Sequence, residues 1–253
     1  MTSLADRLLE HVLSFSLPED LPDGIGVLDP FNGPNAEEVR RIVTLFHRKY
    51  YSDERQRVGM LGINPGRLGA GSTGLSFTDT KRCESDLGIP VRGLRTHEPS
   101  SDFFYRMIRA AGGADAFYST VYVHSICPLG FVKNGPAGAH TKTSAGSPEE
   151  RGGPAARGSI NLNYYDDKAL EQAVTPFVED WLRTLVACGM RTDVVLCIGT
   201  SKNAAYFSKL NERLGLFQRI IALEHPRYVM QYKAKELEKY IGKYVEALEE
   251  VGK

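Results

Sequence analysis

An α/β fold of the three-layer α/β/α kind, built on a central four-stranded and mainly parallel sheet, is predicted by three features of the sequence. Apolar strand-like runs alternate with stretches of helical periodicity, each run stops at polar or breaker residues at its carboxyl end, and no segment repeats another. At 253 residues and 42% apolar content the chain can bury a sizeable core. A single domain over 1–253 is expected, with accessory N-terminal helices in 1–50 and the core that carries the site in 57–235.

Residues 2–16 place Leu4, Leu8, Leu9, Val12, Leu13 and Phe15 at helical spacing, and Pro18 with Pro22 close that segment. Asp29 to Asn35 is a turn cluster, after which Asn35 is expected to cap a helix carrying Val39, Ile42, Val43, Phe46 and Tyr50 on one side. The first strand starts at Arg57 and runs through Gly62 into Ile63-Asn64-Pro65-Gly66, where the breaker pair Pro65-Gly66 ends it abruptly and Asn64 is the one polar side chain. In open α/β sheets that carboxyl end is where ligands bind.

Residues 69–99 contain Gly69, Gly71, Gly74 and several hydroxyl residues, with Phe77 offering a flat apolar face, and read as a long functional loop. Residues 102–112 return to helix. A second strand, Thr120 to Cys127, is stopped by Pro128, and 133–158 is an irregular loop rich in Gly, Pro, Ala and Ser. A helix from Asp167 to Cys188 leads to a third strand, 193–200, and Ser201 is expected to cap a helix to about Leu214. The fourth strand, Phe217 to Leu223, ends at Glu224-His225-Pro226-Arg227, and a last helix covers 230–251.

Lys plus Arg and Asp plus Glu number 31 each, so no global positive field favours nucleic acid and any such site must rest on a local cluster. Cys83, Cys127, Cys188 and Cys197 form no C-x-x-C pair of the kind that holds zinc or an iron–sulfur cluster, and they are expected to be buried free thiols of a reducing cytosol. The acidic amphipathic start lacks the basic opening of a signal peptide, and no apolar run is long enough to cross a membrane, so a cytoplasmic protein is expected.

Three strand ends bring Asn64, Ser125 and His225 to one edge of the predicted sheet. A lone Asn in a turn usually caps its own backbone, and a lone His before Pro is more often a plain hydrogen-bonding residue. Together, in this order, they mark a candidate cleft.

Gly62-Ile63-Asn64-Pro65-Gly66, then Thr73-Gly74-Leu75-Ser76-Phe77 with Phe77 thirteen residues after Asn64, then Val123-His124-Ser125-Ile126-Cys127-Pro128-Leu129, then His225-Pro226, resembles the uracil-DNA glycosylase superfamily. The match is to its SMUG type, the single-strand-selective monofunctional branch, and it spans residues 57 to about 235. The resemblance implies a monomeric enzyme of base excision repair in the bacterial nucleoid. It would flip uracil out of DNA and hydrolyse the N-glycosidic bond with no metal or cofactor. It implies that Asn64 and His225 are catalytic: Asn64 holds the attacking water and His225 hydrogen-bonds the uracil O2. It implies that the backbone of Gly62, Ile63, Pro65 and Gly66 fixes the base, with Ala70 in the pocket, while Phe77 stacks on the base and Ser125 reads it. DNA contacts would come from Arg67, Thr200, Ser201, Lys202, Pro226, Arg227 and Tyr228.

The chain departs from that family pattern twice. Ser125 stands where the family has Asn, and the wedge motif H-P-S-P-R-N is contracted to His225-Pro226-Arg227-Tyr228-Val229-Met230, as in a diverged bacterial sub-branch. A rotatable hydroxyl both donates and accepts, so xanthine and hypoxanthine join uracil as expected substrates. Two rival readings are a non-catalytic module that binds a modified base or nucleotide, and a small-molecule hydrolase with Ser125 as nucleophile and His124 or His225 as base. The second lacks a G-x-S-x-G elbow around Ser125.

Overall fold

The computed structural model describes residues 2–16, 18, 20–133 and 159–252. Its main sheet consists of β2 (Arg57–Gly62), β3 (Val121–Ser125), β6 (Met190–Ile198) and β7 (Ile220–Leu223), in the order β3-β2-β6-β7 with every pair parallel. Parallel strands require crossover segments that cover both faces, which explains why β2 is buried at all six positions and, beyond Arg57, reads as a continuous apolar run. Val58, Met60 and Leu61 have no exposed surface, and each contributes roughly 1.5–3 kcal/mol by leaving water. The result is the predicted three-layer α/β/α fold. Helix α1 (Leu4–Val12) packs on α2 (Ala36–Tyr50) and α7 (Lys168–Cys188), while α5 (Pro99–Ala110) packs on α9 (Pro226–Tyr232) and α10 (Leu237–Val251).

Arg57 anchors the start of β2. Its guanidinium is fully buried and donates to the carbonyls of Tyr118, Arg55 and Tyr50 and to the Asp53 carboxylate. A buried charge is tolerated only when partnered this fully. The same contact holds the Asp53 carboxyl well below the usual carboxylate range. At the other end of the strand, Gly62 pairs directly with Ser125. The ladder continues beyond both strands, because Ile126 N–H donates to the Gly62 carbonyl at 2.9 Å and Cys127 N–H to the Ile63 carbonyl at 3.1 Å. These bonds fix the two polar strand ends side by side.

Several elements differ from the sequence reading. The first helix stops at Val12 and starts at a Ser3 capping box with Asp6. Residues 1–50 hold a strand as well as helices: β1 (Ile25–Leu28) pairs with β4 (Gly130–Lys133), which pairs with β5 (Ile160–Leu162) in a small antiparallel sheet. The expected loop at 69–99 contains α3 (Ala70–Thr73) and α4 (Thr80–Ser85), the latter capped by Asp79. Helix α5 starts at Pro99 rather than 102, and α6 (Ala114–Thr120) takes Thr120 out of the second strand. The last helix is interrupted, with α9 and α10 separated by a 3₁₀ turn at Ala234–Glu236. Asn35 and Ser201 occupy N-cap positions, yet neither side chain makes a capping hydrogen bond. The irregular loop expected at 133–158 lies outside the described residues apart from Lys133, the last residue of β4. All four cysteines are free and buried.

Candidate active site

A cleft of about 290 Å³ opens at the carboxyl edge of the sheet. Asn64, Phe77, Ser125 and His225 line it together, with Ile63, Pro65, Gly66 and Ala70 around them and Arg227 and Tyr228 at α9. The volume sits at the lower end of small-ligand pockets.

Asn64 is fixed at both ends of its amide. Nδ2 donates to the Leu162 carbonyl at 3.1 Å and to the Pro65 carbonyl at 3.4 Å, while Oδ1 accepts the Tyr164 N–H at 3.2 Å. A carbonyl oxygen has two lone pairs, so Oδ1 retains one for a water or a substrate group. The small antiparallel sheet thus has a role in the site, since its strand β5 supplies the residue that orients Asn64.

Phe77 has a left-handed backbone, φ 55, the one such non-glycine residue among those described. That conformation costs on the order of 1–3 kcal/mol and is typically retained where surrounding structure demands it. Here the ring stacks on Phe104 with centroids 4.8 Å apart and an interplanar angle of 21°. Gly62 makes the placement possible, since a Cβ there would meet Phe77 Cζ at 3.1 Å. Gly62 therefore lies behind the aromatic ring and does not line the cleft.

His225 is the N-cap residue of α9, and its ring lies 5.6 Å from that of Phe77. Desolvation, assisted by the charge of Arg227, pushes its pKa down to about 4, so the imidazole is neutral at neutral pH. Ser125 is 4% exposed and is held by its main chain, whose carbonyl accepts the Trp181 indole N–H at 3.1 Å. Strand alternation turns His124 to the opposite face. There it stacks on Tyr122 and packs on Trp181, with its pKa pushed down to about 3 by burial. Among the described residues Ser125 Oγ makes no hydrogen bond to a histidine.

Other expected DNA-contact residues lie off the cleft wall. Thr200, Ser201 and Lys202 are exposed where β6 passes into α8 (Lys202–Leu214), and the space beyond β6 is taken by Asn203. Asn203 Nδ2 donates to the Ile198 carbonyl at 3.0 Å and its Oδ1 accepts the Tyr164 hydroxyl at 2.8 Å. Arg67 reaches Ser159 Oγ at 3.4 Å, with its Nε buried and unpartnered. Pro226 is buried as the first residue of α9.

Sequence reasoning missed Glu98, Asn161, Asn163 and Tyr232, which also line the cleft. Tyr232 had a signal, because it follows Tyr228 by one helical turn; the two rings lie 5.6 Å apart, 44% and 66% exposed.

The fold and this cleft define a class. The family model of the uracil DNA glycosylase superfamily matches residues 48–249, and the chain belongs to that superfamily. Within it, the chain is similar to SMUG2 of Pedobacter heparinus, whose wild-type crystal structure matches with a TM-score of 0.87 and 41% identity over 100% of this chain and 99% of that one. Comparison with curated proteins gives no match.

Proposed function

We propose that the protein is a monofunctional DNA glycosylase that extrudes uracil, and also xanthine and hypoxanthine, and hydrolyses the N-glycosidic bond. The observation that carries this reading is the convergence of a fixed Asn64 amide and a neutral His225 imidazole on one cleft floored by Phe77. Membership of the superfamily and the similarity to SMUG2 support it.

As the C1′–N bond stretches, positive charge grows on the sugar and negative charge on the base. A His225 N–H aimed at the base O2 stabilises that charge, an effect typically worth about 3–4 kcal/mol. Asn64 Oδ1 orients a water toward C1′. An oxocarbenium-like sugar needs a positioned nucleophile more than a strong base, so a neutral carboxamide suffices. The Phe77 face stacks on the extruded base and offsets part of the few kcal/mol lost in unstacking. Ser125 reads the polar edge of the base. No lysine lines the cleft among the described residues, so strand scission through an amine adduct is not part of the reading. One domain acting as a monomer suffices, with Arg67, Thr200, Ser201 and Lys202 contacting phosphates and Arg227 or Tyr228 filling the gap left in the stack.

Incubation of the protein with uracil-containing DNA in chelator tests this. Abasic sites that break only on alkali treatment are expected. Tight binding without abasic product would favour the non-catalytic module, and a borohydride-trapped adduct would overturn the monofunctional assignment.

A further inference from the structure

Glu98 is the only acidic side chain on the cleft wall among the described residues, and the mechanism above makes no use of it. Although Glu98 is the N-cap residue of α5, its side chain does not cap the helix. Oε2 is buried and has no hydrogen-bond partner. The main chain is tied down instead: Glu98 N–H donates to Asp79 Oδ2 at 3.0 Å, and the Glu98 carbonyl accepts Ser101 N–H at 2.9 Å. The carboxyl lies across the backbone of Gly69, where a Cβ would come within 2.5 Å of Cδ and 2.8 Å of Oε1. The absence of a side chain at 69 is what gives the carboxyl its place. Buried polar groups in folded proteins are almost always partnered, so an orphan on a cleft wall points to a partner that arrives with the ligand.

We propose that Glu98 is a base-reading residue whose carboxyl, carried as the neutral acid, hydrogen-bonds the extruded base from the wall formed by Gly69 and α5. This deepens the glycosylase reading and rests on it. A neutral carboxyl presents an O–H donor beside a C=O acceptor. Deaminated bases present the complement, a ring carbonyl next to an N–H, in uracil, xanthine and hypoxanthine alike. Ser125 offers a single hydroxyl, and Glu98 supplies the further polar contact that such an edge requires. An ionised carboxylate could only accept, and it would repel both the base carbonyl and the negative charge that the departing base acquires.

The surroundings favour the neutral form. Burial is the largest influence on Glu98 and Asp79 the next; Arg227 opposes both, and the balance pushes the carboxyl up to about 7. The other ionisable groups around it include His97 beside it, 3.5 Å from Asp79 Oδ2, Arg67 in the segment after β2, and His225, Tyr228 and Tyr232 on the same cleft.

The test uses an oligonucleotide carrying 2′-fluorinated deoxyuridine, whose glycosidic bond resists hydrolysis, with its N3-methylated form, which lacks the N–H, at the same position as control. Affinity is measured between pH 6 and 8 for the parent, Glu98→Gln and Glu98→Ala, alongside single-turnover excision of uracil. A group half-ionised near pH 7 predicts that the parent's preference for the analogue and its rate both fall roughly tenfold over that range. Glu98→Gln, always neutral, removes the fall, and Glu98→Ala weakens analogue binding at pH 6 by about tenfold. Superimposable profiles for all three proteins overturn the role of Glu98 even if the parent excises uracil. A Glu98-dependent profile without excision upholds the contact and overturns the glycosylase reading. Equal affinity for analogue and control, with no excision, overturns both.

Discussion

The backbone N–H of Arg227 donates to Nδ1 of His225 across 3.1 Å, and this contact decides the tautomer of the ring. A neutral imidazole carries one proton, and with Nδ1 engaged as an acceptor that proton sits on Nε2. The first turn of α9 thus presets a donor. Since the pKa of His225 is pushed down to about 4, the preset form persists through the neutral range.

Replacing His225 by Ala is expected to lower single-turnover excision by on the order of a hundredfold or more, with less effect on DNA affinity, because the bond forms chiefly in the transition state. The parent's profile should show no limb from His225 between pH 5 and 8. Near-normal rates in the variant would remove His225 from the mechanism.

Asn64→Asp tests the orientation of the amide. An Asp cannot donate to the Leu162 carbonyl, now 3.1 Å away, and places a carboxylate against it. The variant should lose excision by at least a hundredfold and unfold more easily by about 1–3 kcal/mol in urea titrations. Asn64→Ala should lose the activity as well. Retained excision in both variants would mean that the water is held elsewhere.

Ser125→Asn should shift preference toward uracil and away from xanthine and hypoxanthine by roughly 1–3 kcal/mol, the usual penalty for an unpaired buried polar group. Single-turnover rates on the three bases measure it. An unchanged ratio, or a parent inactive on both purines, would show that Ser125 does not read the base.

Salt should weaken DNA binding steeply although the chain is neutral, because a local cluster must release counterions from several phosphates. Arg67→Ala and Lys202→Ala should each reduce the slope. A flat dependence for the parent would reject the groove.

Stability should fall as pH drops below about 6.5. Burial pushes the pKa of His47 down to about 4, that of His124 to about 3 and that of His225 to about 4, so the unfolded chain takes up three protons that the fold does not. Glu98, raised to about 7, works the other way between its unfolded range and 7, because there the folded chain holds one extra proton. The net excess of about two protons on the unfolded chain near pH 5 corresponds to about 3 kcal/mol lost per pH unit. Urea midpoints at pH 7, 6 and 5 check this, and a level trend would contradict the burial of these rings.

The parts of the site that were legible sit where an apolar run meets a breaker. Asn64 before Pro65-Gly66 and Ser125 before Pro128 are ends of buried parallel strands, and their adjacency follows from the Gly62–Ser125 pairing. The small sheet was not legible because β1, β4 and β5 are three or four residues each, too short for a period-two pattern to stand out. Glu98 reads locally as an ordinary surface acid before a proline; its carboxyl packs against Gly69, far upstream, which no local pattern signals. Lys202 is exposed at the start of α8, while the next residue, Asn203, is tied inward to Tyr164, 39 residues away, a long-range contact that no local pattern signals. The break between α9 and α10 carries no Pro or Gly signal at Lys233, where the backbone leaves the helix at φ −129, ψ 22.

The strand order has a consequence for how the protein is made. β2, which runs into the Asn64 turn, is an interior strand whose two neighbours are both encoded later. β3 leaves the ribosome roughly 60 residues after it and β6 roughly 130 after it, which at about 5–20 residues per second leaves this strand, apolar beyond Arg57, unpaired on one side for some 6–26 s. Throughout that interval its free edge can join the same strand of another nascent chain. Both edges of β2 can therefore be covered only once residue 198 has emerged.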